Sequence, residues 1–346
     1  MIPPDGEPAP GSAAAPLDPA PSHAGSGGPP GTGTFTIEGR TAPALFVLGW
    51  LATIVGGGVL FVSLQTGAGA AKFVLFVVGM ALLSLGLVSA AGSQAIERRA
   101  RRVRPYWGPS PILLFLACIP TAALPLILLG VPLQLAGIDV DGPPVAVLAL
   151  LVQAAVYVLL IRLVVVDTGA LSWSEMRIRR PSVASFGELG YGAVWALPII
   201  FVTGLISAVL VSAFGVTPDS PLPPASDPAG LALNLIAGAI LAPIGEELFF
   251  RGFATTAWVK GLGVTRGIVR GGLFFAFIHV LQIQATSVTE GLAVAFIAFA
   301  VRVPIGLMLG WLFIRRDTIW APIGLHAAFN GILVLIAATV SQAPVP

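Results

Sequence analysis

Apolar residues run along this chain in blocks of about 20, long enough to cross a hydrocarbon core of about 30 Å as helices, with short polar breaks between them. The blocks predict nine spans, at 43–64, 70–91, 111–131, 144–166, 191–214, 231–253, 268–283, 291–314 and 319–340. The seventh is short for a full crossing. Prolines inside the blocks, at Pro120, Pro125, Pro198 and Pro304, are expected to bend helices rather than end them, because neighbouring helices can satisfy the freed backbone groups. The fold class that follows is all-α, a polytopic transmembrane helical bundle.

Ahead of the first block, residues 1–41 are rich in Pro, Gly, Ala and Ser and show no apolar period. Such a segment cannot bury enough surface to offset the entropy of ordering, so a disordered tail is expected. It lacks the charged start and apolar block of a cleaved leader, which leaves targeting to the first span. Composition agrees with a membrane protein: of 346 residues 56% are hydrophobic and 10% charged, with a mean hydropathy of +0.94, against about 25% charged in soluble domains.

The net charge of +2 matters less than where the charges lie. Basic residues fall in alternate loops: Arg98, Arg99, Arg101, Arg102 and Arg104, then Arg177, Arg179 and Arg180, then Lys260, Arg266 and Arg270, then Arg315 and Arg316. The loops at 65–69, 132–143, 215–230 and 284–290 carry no Lys or Arg. By the positive-inside rule, the N-terminus is cytoplasmic, the C-terminus extracytoplasmic, and the protein is a multi-pass component of the cell membrane. The expected partners are the lipid bilayer and a peptide or protein substrate at the membrane, not nucleic acid.

Within this apolar background a few polar positions stand out, and ionisable residues inside spans are functional candidates by default. Glu246 and Glu247 lie in the sixth block, His279 in the seventh, and His326 with Asn330 in the ninth. Glu247 and Arg251 are four apart and share a helix face, which leaves Glu246 roughly a quarter-turn away and free to act as a base. Phe275 with His279, and His326 with Asn330, have the same spacing. Counted from the flanking basic residues at 1.5 Å per residue, the histidines lie roughly 13 to 15 Å into their helices. Counted from the end of its span, Glu246 lies roughly 10 Å in, so all approach one level nearer the cytoplasmic side.

Arg302 falls inside the eighth block, and either it pairs with Glu246 or Glu247 or that span begins later. Cys118, the single cysteine, excludes an intrachain disulfide and reads as a packed thiol. His23 lies in the tail.

Together, Glu246-Glu247-x-x-x-Arg251, Phe275-x-x-x-His279 and His326-x-x-x-Asn330, with the approach Trp320-Ala321-Pro322-Ile323-Gly324-Leu325-His326, resemble the three motifs of the CPBP family of intramembrane proteases. This is also called the CAAX-protease or ABI family and includes the type II CAAX prenyl endopeptidases. The resemblance covers about residues 190–340. It implies an N-terminal set of helices over 42–189, a protease core over 190–341, and hydrolysis of membrane-associated peptides, some C-terminally lipidated. It also implies roles that the residue chemistry allows: Glu246 as the base for water, His279 holding that water, His326 and Asn330 donating to the oxyanion, and Glu247, Arg251 and Phe275 in support.

Glu246, His279 and His326 form a set that zinc accepts with water as fourth ligand, although the His-Glu-x-x-His signature is absent. The sequence therefore leaves open whether zinc or another divalent metal takes part. The competing reading is a non-catalytic membrane scaffold or bacteriocin-immunity protein on the same helices. A transporter is a weaker third, since no inverted repeat or paired broken helices are evident.

Overall fold

The computed structural model describes residues 39–101, 105–218, 223, 225, 227–283 and 285–341. The expected disordered tail, with His23, lies outside these residues up to position 38, as do Arg102 and Arg104. From Arg40 onward the chain forms one compact unit.

Among the described residues there is no strand, and nine helices are long and apolar enough to cross a membrane. We number them α1 (Pro43–Gln65), α2 (Ala70–Arg101), α3 (Pro111–Leu135), α4 (Pro143–Val166), α5 (Val183–Phe214), α6 (Pro228–Leu262), α7 (Val264–Leu281), α8 (Val288–Arg316) and α9 (Trp320–Thr339). The all-helical membrane bundle read from the sequence is therefore the architecture observed. Large apolar side chains such as Leu48, Ile54, Phe201 and Leu292 stay exposed on the outside, where hydrocarbon rather than water surrounds them.

Several helices outrun the blocks that announced them. The helix α2 continues to Arg101, so Arg98, Arg99 and Arg101 form its last turn rather than a loop, and α6 continues to Leu262, nine residues past the expected end. Hydropathy marks the part of a helix inside the bilayer, whereas hydrogen bonding carries the helix on into water. Glu246 therefore stands 16 residues, roughly 24 Å along the axis, from the end of α6, of which the apolar block accounts for the roughly 10 Å counted from the sequence.

Two close crossings position the helices that carry the polar residues. At the α7–α8 crossing a Cβ on Gly306 would meet the Gly272 carbonyl oxygen at 2.6 Å, and one on Gly272 would meet the Leu307 amide nitrogen at 2.9 Å. At the α5–α9 crossing a side chain on Gly324 would collide with the Leu189 carbonyl, and one on Gly192 with that of Ala321. Small residues allow backbones to approach this closely. The second crossing lies two residues before His326 and so fixes where that ring enters the bundle.

The helix α6 is not a regular α-helix. It widens into π-helical turns at Ile236–Leu241 and Leu248–Thr255, on either side of the short α-helical piece Ala242–Glu247. Such wide turns occur often at functional sites. Just past the two glutamates, Phe249, Phe250 and Phe253 are fully buried. With Phe115, Tyr157, Phe274 and Phe275 they form a continuous set of ring contacts, including Phe249–Tyr157 at 4.8 Å and Phe250–Phe275 at 5.4 Å between centroids. This aromatic layer lies between Glu246 and the end of α6 that carries Lys260. Cys118 is buried in the same core.

Candidate active site

Glu247 is fully buried on α6, and its Oε1 accepts two hydrogen bonds, from Arg251 Nη1 at 3.0 Å and from His326 Nδ1 at 2.8 Å. The first is the i, i+4 pair expected from the sequence. The second crosses from α9 and had no local signal. Arg251, also buried, donates through Nη2 to the Gly306 carbonyl at 3.3 Å, and its guanidinium lies 4.3 Å from the Phe275 ring centroid. One buried charge pair thus ties α6 to α7, α8 and α9.

These bonds settle which nitrogens carry protons. A backbone carbonyl can only accept, so His279 Nδ1, 2.7 Å from the Phe275 carbonyl oxygen, is the donor. His326 Nδ1 likewise donates to the Glu247 carboxylate. When each ring is neutral, Nε2 is a lone-pair acceptor, and both Nε2 atoms point at Glu246. The separations from Glu246 Oε2 are 3.7 Å to His279 and 3.9 Å to His326, and Oε2 itself has no hydrogen-bond partner. Three acceptors facing a common point call for something with positive charge or O–H groups between them. A water molecule suits that gap, since it offers two hydrogens and a lone pair. Phe275 walls the site, with its ring centroid 4.7 Å from that of His279 and 5.6 Å from that of His326.

Asn330 lies one turn beyond His326 and donates through Nδ2 to the Gly238 carbonyl at 2.9 Å. That carbonyl is free for a reason written in α6. In the π register the Ala242 amide bonds back to Ala237, so the next bond would run from residue 243 to Gly238. Residue 243 is Pro243, which has no N–H, and Asn330 fills the vacancy with one of its two amide hydrogens.

The chemistry of the donors, two imidazole Nε2 atoms and a carboxylate, suits zinc, and each ring carries the outer hydrogen bond typical of a metal-ligating histidine. Their spacing does not: among the described residues no three His, Cys, Asp or Glu side chains are grouped closely enough to hold an ion. The chemistry below is therefore derived without one.

All these groups open on one cavity of about 1210 Å³, lined by Glu246, Phe275, His279, His326 and Asn330. It extends along α6 past Ala242, Gly238, Asn234 and Leu231 to Thr217, Pro218, Pro223 and Ala225, in the segment between α5 and α6 that has no basic residue. Helices before residue 190 contribute as well: Phe115 and Ile119 from α3, and Gln153 and Tyr157 from α4, the last two joined by a hydrogen bond of 2.8 Å. The sequence reading passed over Gln153 and Tyr157, although their i, i+4 spacing in an apolar helix was a usable signal. Thr203, Ser207 and Asn234, also on the wall, gave none beyond being polar.

Arg302 takes neither course expected of it. The helix α8 begins at Val288, well before it, and among the described residues Arg302 forms no ion pair with Glu246 or Glu247. Its Nη1 donates to the Ala298 carbonyl at 3.0 Å, and it lines the same cavity.

Residues 228–332 match the family model described as type II CAAX prenyl endopeptidase Rce1-like, a segment that contains all seven motif residues from Glu246 to Asn330. No curated protein and no solved structure matches the chain.

Proposed function

We propose that this chain, whose residues 228–332 match the type II CAAX prenyl endopeptidase Rce1-like family model, is an intramembrane endopeptidase using a glutamate-activated water. The observation that carries this reading is the convergence of Glu246 Oε2 with the Nε2 atoms of His279 and His326 at 3.7 and 3.9 Å, in a cavity large enough for a peptide.

The reaction follows from what each atom can do. A water between Glu246 and His279 gives one hydrogen to Oε2 and the other to Nε2, which turns its lone pair toward an amide carbon in the cavity. Glu246 takes the first proton as the C–O bond forms. The oxyanion is met by the second Asn330 N–H, and by His326 Nε2–H when that ring carries both protons. Each such donor is worth about 2.7–4 kcal/mol in other proteases. Glu246 then returns its proton to the amide nitrogen as the C–N bond breaks, releasing an amine and a carboxylic acid, which passes its remaining proton to the amine or to water. Glu247, held by Arg251, fixes the direction of the His326 ring.

We infer further that the basic loops face the cytoplasm. The peptide then reaches the site from the opposite face, along the arm of the cavity that ends at Thr217 and Ala225, since the aromatic layer blocks the other direction. The test is purified protein in nanodiscs offered peptides with and without a C-terminal lipid, beside Glu246→Ala and His279→Ala. Cleavage lost in both variants supports the enzyme. A cellular phenotype that persists in both, with no cleavage by the wild type, supports the scaffold reading. Repeating the assay with a chelator tests metal dependence directly.

A further inference from the structure

Arg302 stands fourteen residues from Val288 and fourteen from Arg316, the two ends of α8, so its Cα is roughly 21 Å along the axis from either end. That is too deep for its side chain to reach water beyond the bilayer, and a cation at this depth is retained only where water or an anion solvates it. Of its five N–H donors, one makes a bond among the described residues, from Nη1 to the Ala298 carbonyl. Among the described residues no carboxylate lies within ion-pair distance, whereas the other deep cation, Arg251, has Glu247, Gly306 and Phe275 around it. The side chain of Arg302 faces the cavity that holds Glu246, His279 and His326. Around it the wall is apolar, with Ile297, Val301 and Ile305.

We propose that Arg302 is a specificity residue that binds a carboxylate of the peptide in the cavity, so that the protein selects peptides bearing an acidic group close to the bond it cuts. The assignment rests on the protease reading for its consequence but not for its binding step. The fork of a guanidinium matches a carboxylate in two parallel hydrogen bonds. The apolar wall strengthens such a pair by lowering the local dielectric. A lipid phosphate is a poorer occupant, because headgroups lie at the bilayer surface and Arg302 at mid-depth. The carboxylate has two sources in a peptide, its C-terminus or an Asp or Glu side chain.

The experiment separates them. Full-length Glu246→Gln protein in nanodiscs is titrated with one dye-labelled apolar peptide in three forms: free C-terminal acid, C-terminal amide, and amide with a single Asp. The free acid or the Asp form, whichever is the natural source, binds about 10- to 100-fold tighter than the plain amide, the range of a charge-assisted hydrogen bond. Adding Arg302→Gln brings the affinities together at the amide's value, and Arg302→Lys keeps part of the preference. In protein with Glu246 intact, Arg302→Gln raises KM for the preferred peptide and leaves kcat and the amide peptide's KM nearly unchanged. Equal binding of all three forms, a preference that survives Arg302→Gln, or competition by phosphatidic acid without any preference among the peptides overturns the proposal. Because the titration needs no turnover, a protein that binds selectively but never cleaves sinks the protease reading and leaves this one standing.

Discussion

His326 Nδ1 and Glu247 Oε1 lie 2.8 Å apart although 79 positions separate them in the chain, and the same oxygen accepts from Arg251. The two adjacent glutamates of α6 therefore do opposite work. One is a structural anion whose Oε1 is held twice while its Oε2, like that of Glu246, has no partner among the described residues, and the other has no such anchor and is aimed into a cavity.

That contrast predicts opposite phenotypes. Glu247→Gln leaves Arg251 buried without its counter-ion, a loss of about 3–5 kcal/mol when one partner of a buried pair is removed, and thermal unfolding in detergent shifts down by several degrees. Glu246→Gln removes an unpaired buried charge, which costs free energy to hold. Its unfolding temperature stays at or above that of the wild type while turnover falls by about 10²–10⁴-fold, the usual contribution of a general base. Equal destabilisation by both substitutions would contradict the assignment.

Asn330 and Pro243 are predicted to be coupled through the Gly238 carbonyl. Asn330→Leu orphans that carbonyl at about 1–3 kcal/mol and lowers turnover by about 10²–10³-fold through the lost oxyanion donor. Adding Pro243→Ala supplies an N–H at the position the π register points to Gly238. The double variant recovers stability and not activity, as unfolding and turnover measured side by side would show.

How much of this was readable beforehand depended on distance along the chain. The pair Glu247–Arg251 and the aromatic wall Phe275 beside His279 are i, i+4 relationships, and helical geometry alone supplies them. The bonds from His326 to Glu247 and from Asn330 to Gly238 join separate helices, and no periodicity reports a partner 79 or 92 residues away. The length of α6 was underestimated because hydropathy ends where the bilayer ends, not where the helix does. Arg302 was noticed as anomalous, yet the choice offered for it, an ion pair or a shifted span, omitted a third: facing a cavity whose existence depends on seven helices at once.

Gly324 is predicted to be irreplaceable by a larger residue. Gly324→Val drives a branched side chain into the Leu189 carbonyl, separating α9 from α5 and drawing His326 away from Glu247. The variant should be recovered in low yield, and any folded fraction should be inactive. Gly324→Ala should lie between, and wild-type behaviour from Gly324→Val would mean the crossing is looser than described.

Outside the spans, Glu175 is held below the usual carboxylate range, first by the hydrogen bond from Lys260 at the end of α6 and then by the Ser172 backbone amide. A carboxylate with a depressed folded-state pKa contributes stability above its unfolded value, and that contribution is lost as pH falls through the folded one. Glu175→Gln should therefore lower the unfolding temperature slightly at pH 7, by the small amount expected of an exposed pair. The difference from wild type should begin to shrink as pH falls below the usual glutamate value of about 4.3 and vanish once the folded-state carboxyl is protonated. A gap that persists in acid would assign the effect to packing instead.

A hollow wide enough for a peptide and open to water halfway through a bilayer threatens to leak ions. The edge-to-face rings of Phe249, Phe250 and Phe253 would act as an electrical insulator under that hollow. If the site cleaves peptides as proposed, hydrolysis would proceed inside the membrane without discharging the voltage across it, and both fragments would have to back out by the route through which the uncut chain arrived.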